Sequence, residues 1–166
     1  GRVIYVGSSL EKRADLSSIA GASGEEAAAL FRSAGTGGGA AYSRSKLAGL
    51  ALQYSLAPRA REEFGIAVHA CSPGVVDTQL HTRALPEWAQ PWLAPLTAPL
   101  RSMLLRTPAQ GAATPLWCSL DPDLCGAAPP TYFADSKPKE SSQQSRDSRL
   151  QQSLTAAAEL IAAEHL

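Results

Sequence analysis

Tyr42 and Lys46 are the residues of this chain whose types and spacing best suit proton chemistry. They stand four apart, so on a helix they share one face. A free tyrosine has a pKa of about 10, too high for ready proton exchange near neutrality. A neighbouring ammonium favours the phenolate and lowers that value. Such a pair is a tuned general acid/base. Ser8 ends the apolar run Arg2 to Val6, and its hydroxyl can hold a carbonyl or alcohol oxygen next to the tyrosine. A second apolar run, Ile66 to Cys71, is followed by Ser72-Pro73-Gly74. Taken singly, each feature has an ordinary reading: an exposed helical pair, a strand-end hydroxyl, a turn. Their order along the chain is the informative part.

These groups need a scaffold, and the hydrophobic pattern supplies one. Residues 2–6 read as a strand buried on both faces. The stretch 10–39 is rich in Gly, Ala and Ser without a sustained period. It reads as one long connection, with the Gly35 to Gly39 cluster as a flexible stop. Leu47, Leu50, Ala51, Tyr54 and Ala57 recur at helical spacing and predict a helix over 40–63, strained or divided at Pro58. Gly65 then stands where a glycine ends a helix. Residues 66–71 form the next strand. Strand, helix, strand over this length is a βαβ crossover, which requires parallel pairing.

The segment 79–106 carries too many prolines for one long helix. With Trp88, Trp92 and several leucines it suits short turns lying over a substrate pocket as a lid, or ordinary packing under a surface loop. Thr107-Pro108 is a helix start running towards Leu120, with Pro115 placed awkwardly inside it. Residues 131–133 form a short third strand, and 136–149 a polar, exposed connection. Leu150, Leu154, Ala157 and Ile161 make the apolar stripe of a final amphipathic helix.

Composition narrows the function classes. The chain has 166 residues, 45% of them hydrophobic, with 15 basic against 15 acidic side chains. Zero formal net charge implies no basic face, so nucleic acid is not an expected partner. No apolar run is long enough to span a bilayer, and contact with a membrane surface has little support. Cys71, Cys118 and Cys125 follow no metal pattern. Cys71 reads as a buried free thiol, and a reducing intracellular compartment is favoured. A Cys118–Cys125 pair across the Asp121-Pro122 turn is the weaker alternative. His69, His81 and His165 are scattered and lack metal partners at usable spacing.

Read together, the motifs resemble the C-terminal half of the short-chain dehydrogenases/reductases. Arg2-Val3-Ile4-Tyr5-Val6-Gly7-Ser8-Ser9 looks like the strand ending in that family's catalytic serine, with Ser8 the better match. Tyr42-Ser43-Arg44-Ser45-Lys46, continued by Leu47-Ala48, is similar to the Tyr-x-x-x-Lys motif. Pro73-Gly74-Val75-Val76-Asp77-Thr78 looks like the turn that holds the nicotinamide carboxamide. Thr107 to Ala112, Tyr132 to Lys139 and residues 145–161 resemble the retinol dehydrogenase-like branch, so the likeness covers nearly the whole chain.

The resemblance implies an α/β fold: the C-terminal half of a Rossmann-like, doubly wound parallel sheet in three αβα layers. Residues 1–166 would then be one partial domain, its N-terminal half absent. It implies an NAD(P)-dependent oxidoreductase interconverting an alcohol and a carbonyl on an apolar, retinoid-, steroid- or lipid-like substrate. Tyr42 would exchange the proton. Lys46 would lower the Tyr42 pKa and hold the nicotinamide ribose, and Ser8 would orient the substrate oxygen. Pro73, Gly74, Val76 and Thr78 would line the cofactor. NADP is slightly favoured over NAD, although the position that decides it lies in the missing half. A homodimer through the helix of Tyr42 is also implied.

The sequence departs from that pattern in what it lacks. No Gly-rich phosphate turn follows a strand, and the family's Asn-Asn-Ala-Gly strand is missing. Ser72 stands where the branch often has His, and the connection between Ser8 and Tyr42 is long. Gly1 leads directly into a strand-like run, as in a fragment. The chain alone is therefore expected to be inactive. The competing reading is a truncated, catalytically inactive form that acts, if at all, as a protein-interaction module through the bare edge of its first strand or through the helix of Tyr42. An unrelated βαβ domain with a chance Tyr-x-x-x-Lys is the third.

Overall fold

The computed structural model describes residues 1–33, 38–76, 105–125 and 130–164. Three strands form a parallel sheet in the order β1 (Arg2–Val6), β2 (Ala67–Ser72), β3 (Tyr132–Ala134). A two-residue strand, β4 (Lys137–Pro138), pairs antiparallel outside β3. The register sets Tyr5 beside Ala70 and Ala70 beside Tyr132. Side chains alternate across a strand. Tyr5, Ala70 and Tyr132 accordingly share one face, packed on Leu50 and Tyr54 of helix α2 (Gly38–Phe64). Ile4, Cys71 and Phe133 share the other, packed on Trp117 and Cys118 of helix α3 (Pro108–Leu120).

Helices thus cover both faces of the sheet. A third cluster backs α2 from outside. There Leu47, Ala48 and Ala51 meet Ala27 and Ala28 of α1 (Gly24–Ser33) and Leu150, Leu154 and Ala157 of α4 (Ser148–Ala163). The architecture is α/β with a four-stranded, mostly parallel open sheet, compatible with part of a Rossmann-like fold.

The crossover β1–α2–β2 is parallel, as the spacing requires. Gly65 ends α2 at φ 61°, the left-handed conformation in which a glycine costs least. Thr107 caps α3 through a reciprocal box: its Oγ1 accepts from the Gln110 amide at 3.2 Å, and Gln110 Oε1 accepts from the Thr107 amide at 2.9 Å.

Five expectations need correction. The stretch 10–39 holds a 3-10 turn (Ser9–Arg13) and all of α1. Ser23 and Glu26 cap α1, the Glu26 carboxylate accepting from the Ser23 amide at 3.1 Å. Gly38 and Gly39 open α2 instead of stopping the chain. Pro58 neither breaks nor divides α2, which runs 27 residues through it. β1 is not buried on both faces, because it lies at the sheet edge and leaves Val3 and Val6 exposed. Finally, Ser141 and Ser145 in the 136–149 connection are buried: Tyr54 donates to Ser141 Oγ at 3.0 Å, and Ser145 Oγ sits 2.9 Å from it.

Among the described residues no helix is long and apolar enough to cross a membrane. The expected lid (79–106) lies almost wholly outside the described residues, together with Thr78, Trp88, Trp92, His81 and His165.

Candidate active site

Parallel strands deliver their C-terminal ends to one edge of a sheet, and there the loops can converge. The Gly7 amide donates to the Cys71 carbonyl at 2.8 Å. The segment entering Ser8 and the segment entering Pro73 therefore leave the sheet side by side.

Helix α2 brings Tyr42 and Lys46 to the same end. The Lys46 ammonium donates to the carbonyl of Val6 at 3.1 Å, two residues before Ser8. It lies 5.6 Å from the centre of the Tyr42 ring and 5.7 Å from that of Tyr5, a cation held between two aromatic faces. An ammonium has three donors, so one bond to Val6 leaves two for other oxygens. Tyr42 is 42% exposed and lines an open groove of about 500 Å³ with Phe31, Arg32, Ala41, Arg44 and Ser45. Its ring is within reach of solvent, as proton exchange with a ligand demands.

Ser8 follows β1 as expected. Its Oγ accepts from the Leu10 amide at 3.2 Å and so starts the 3-10 turn. That bond fixes the serine and leaves its O–H proton able to donate. Pro73 and Gly74 sit beyond β2. Gly74 has φ 78°, and its amide donates to Ser72 Oγ at 3.3 Å. Val76 is held to Arg106 by an isolated parallel bridge. The structure thus bonds Lys46 to the end of β1 and sets it beside the Tyr42 ring. Ser8 and Pro73 to Val76 lie on the neighbouring strand exits.

Residues outside the motif complete the neighbourhood. Tyr5 donates to the Lys46 carbonyl at 3.5 Å. Burial pushes its pKa up, and the charge of Tyr42 adds to this. Arg106 donates to the Pro73 carbonyl at 3.3 Å and pairs with Asp135, whose carboxyl is held below its usual range first by the hydrogen bond it accepts from Arg106 and then by the guanidinium charge. Glu11 is fully buried, with one oxygen accepting from the Ser142 amide at 3.0 Å. Sequence reading found none of these. For Tyr5 the only signal was a strand position two before Gly7. For Arg106 it was adjacency to the Thr107 cap.

The other titratable groups read as structural. His69 is buried, with Nε2 3.1 Å from the Leu124 carbonyl and Nδ1 accepting from the Thr131 amide at 3.4 Å. Burial, above all, lowers its pKa. Cys71 and Cys118 are buried free thiols, Cys71 pushed up to about 12 by burial and by Cys118, and Cys125 is free and exposed. No cluster among the described residues could hold a metal ion.

A mostly parallel α/β sheet thus carries Tyr42 and Lys46 on a helix at the C-terminal edge of its strands, and comparison with known proteins shows what the chain is similar to. No family model matches the chain. It is similar to dehydrogenase/reductase SDR family member 13 of Bos taurus, 38% identical over 111 residues, which is 66% of this chain and 27% of that protein. The Homo sapiens protein of the same name is 36% identical over 124 residues, 74% and 31% of the two chains. Polyprenol dehydrogenase of Danio rerio is 37% identical over 116 residues, 69% and 34%. The chain is a relative of the short-chain dehydrogenases/reductases, on their retinol dehydrogenase-like side. The matched part spans about a third or less of the length of these curated relatives.

Proposed function

We propose that this chain supplies the proton-transfer side of an NAD(P)-dependent oxidoreductase that interconverts an alcohol and a carbonyl. One observation carries the reading: Lys46 is fixed between the Tyr42 ring and the end of the strand that leads to Ser8. Tyr42 gives a proton to the carbonyl oxygen in reduction and takes it from the alcohol in oxidation. Ser8 donates to that oxygen and orients it. Lys46, with two donors to spare, holds the ribose hydroxyls of the nicotinamide half.

The donor set fits that half of a dinucleotide: an ammonium, two hydroxyls and a backbone turn at one sheet edge. The dinucleotide supplies the hydride when bound, while the chain positions it and handles the proton. Pro73, Gly74 and Val76 would line it through their backbone. The dinucleotide is NADP or NAD, with NADP slightly favoured.

An apolar substrate, retinoid-, steroid- or lipid-like, is supported by Phe31 and Ala41 beside Tyr42, and by the name of the zebrafish relative, which acts on a polyprenol. The test is hydride transfer between NADPH or NADH and long-chain aldehydes, followed at 340 nm in the protein as isolated from its source. Turnover that survives Tyr42→Phe would refute the assignment.

A second reading is a partner-binding chain without turnover. Val3 and Val6, 47% and 43% exposed along the outer strand, favour it. In that case Tyr42→Phe leaves partner binding intact.

A further inference from the structure

We infer that Arg106 is a positioning residue for the Pro73–Val76 turn, an inference that rests on the cofactor reading above. One residue holds the turn at several points. The Arg106 amide donates to the Val75 carbonyl at 2.8 Å, its Nη1 donates to the Pro73 carbonyl at 3.3 Å, and its backbone bridges Val76. The Arg106 side chain also lies against Gly74, where a Cβ would stand 2.8 Å from Nε. A larger residue at position 74 would be strained by the φ of 78° and would push the arginine side chain aside.

The other end of the clamp is Asp135, which pairs with Nη2. That carboxylate is itself anchored. Asp135 and Ser136 turn at φ 57° and 52°, and the Ser136 amide donates to Thr114 Oγ1 at 3.2 Å, on a threonine buried in α3. The guanidinium thus ties the exit of β2 to the exit of β3 and to the start of α3.

Stability does not account for this arrangement. The ion pair is 36% and 52% exposed, and exposed pairs contribute little to folding. What a planar fork supplies is geometry: a lysine in its place is a point charge and cannot serve both oxygens with the same directionality. Arg106 fixes the backbone against which the nicotinamide end of the cofactor would lie, and it acts through that turn.

The test compares two ligands in the protein as isolated from its source. NADPH has a nicotinamide end; ADP-ribose has none. Arg106→Met is expected to weaken NADPH about tenfold or more, the scale of a lost directional contact to a charged group, while ADP-ribose binding stays within about twofold. Arg106→Lys should fall between Met and wild type. Asp135→Asn, which frees the far end of the clamp, should follow Arg106→Met in direction. If Arg106→Met does not fold, the other two variants carry the comparison.

Equal loss for both ligands, or no loss, overturns the positioning role. So does a loss in Arg106→Met with none in Asp135→Asn, which would make Arg106 a direct contact of the cofactor. A wild-type protein that binds NADPH no better than buffer overturns the functional reading itself, and this inference with it.

Discussion

Lys46 donates a hydrogen bond to the main-chain carbonyl of Val6 at 3.1 Å, 40 positions away along the chain. The contact makes the ammonium part of the joint between α2, the helix of Tyr42, and β1, the strand that leads to Ser8. A side chain read from sequence only as a charge beside a tyrosine is also a tie between two elements.

That double role separates two variants. Tyr42→Phe keeps the ring and removes the hydroxyl, so stability should be unchanged. Turnover should fall by about a hundredfold to ten-thousandfold, the usual worth of a positioned acid/base. Lys46→Met should lose turnover and also loosen the helix–strand joint, lowering the denaturant midpoint. A Lys46→Met protein as stable as wild type would show that the Val6 bond does not matter.

Gly49 faces Tyr5 across the same joint. A Cβ added there would overlap the Tyr5 hydroxyl and ring. Tyr5 is anchored at its far end by the strand and by its bond to the Lys46 carbonyl, so it cannot swing aside freely. Gly49→Ala should cost about 1–3 kcal/mol, the range for overpacking a core, despite alanine's better helix propensity. Adding Tyr5→Phe removes the nearest atom and should recover part of the loss. Urea melts of the two single variants and the double give the coupling, and strict additivity would refute the contact.

Much of this was legible in the sequence because it depends on short-range pattern. The parallel crossover follows from two apolar runs with one helical period between them. The Thr107 cap is visible in Thr-Pro followed by Gln110. Helix α1 was hidden because it is short, 10 residues, and its buried face is made mostly of small residues, Ala27 and Ala28 with Phe31, inside a stretch rich in Gly and Ser. The Ser23/Glu26 box at its start was the available signal. Pro58 misled because a proline removes one backbone bond, a local cost that α2 outweighs by burying Leu50, Ala51 and Ala57. The Arg106–Asp135 pair was invisible for another reason: its partners are 29 residues apart and meet only when β3 joins the sheet. Burial of Ser141 and Ser145 likewise depends on Tyr54, on a different element.

The three thiols should differ sharply in reactivity. Cys71 and Cys118 are fully buried, and burial raises both thiol pKa values, that of Cys71 to about 12. The thiolate is the nucleophile, so neither should react with iodoacetamide at pH 8 while the fold holds. Cys125 is exposed and should be modified within minutes. Peptide mapping after a native and a denaturing pulse tests this. Native labelling of Cys71 at the Cys125 rate would mean that β2 and α3 do not pack as described.

His69 sets an acid limit on the fold. Burial lowers its pKa from the ordinary 6.5, with a smaller contribution from Arg2, against the bond to the Leu124 carbonyl. The unfolded chain therefore takes up a proton at a higher pH than the folded one does. Stability from this group is complete above about 6.5, declines as pH falls below that value, and levels off once the folded state is protonated as well. The ring also packs edge-on against Phe133, 5.7 Å between centres, so charging it disturbs the α3 side of the core. His69→Gln keeps a polar side chain without the titration. Denaturation of both proteins at pH 7.5 and 5.0 should show a stability gap that moves in favour of the variant at the lower pH. A gap independent of pH would mean that His69 is not held neutral in the folded chain.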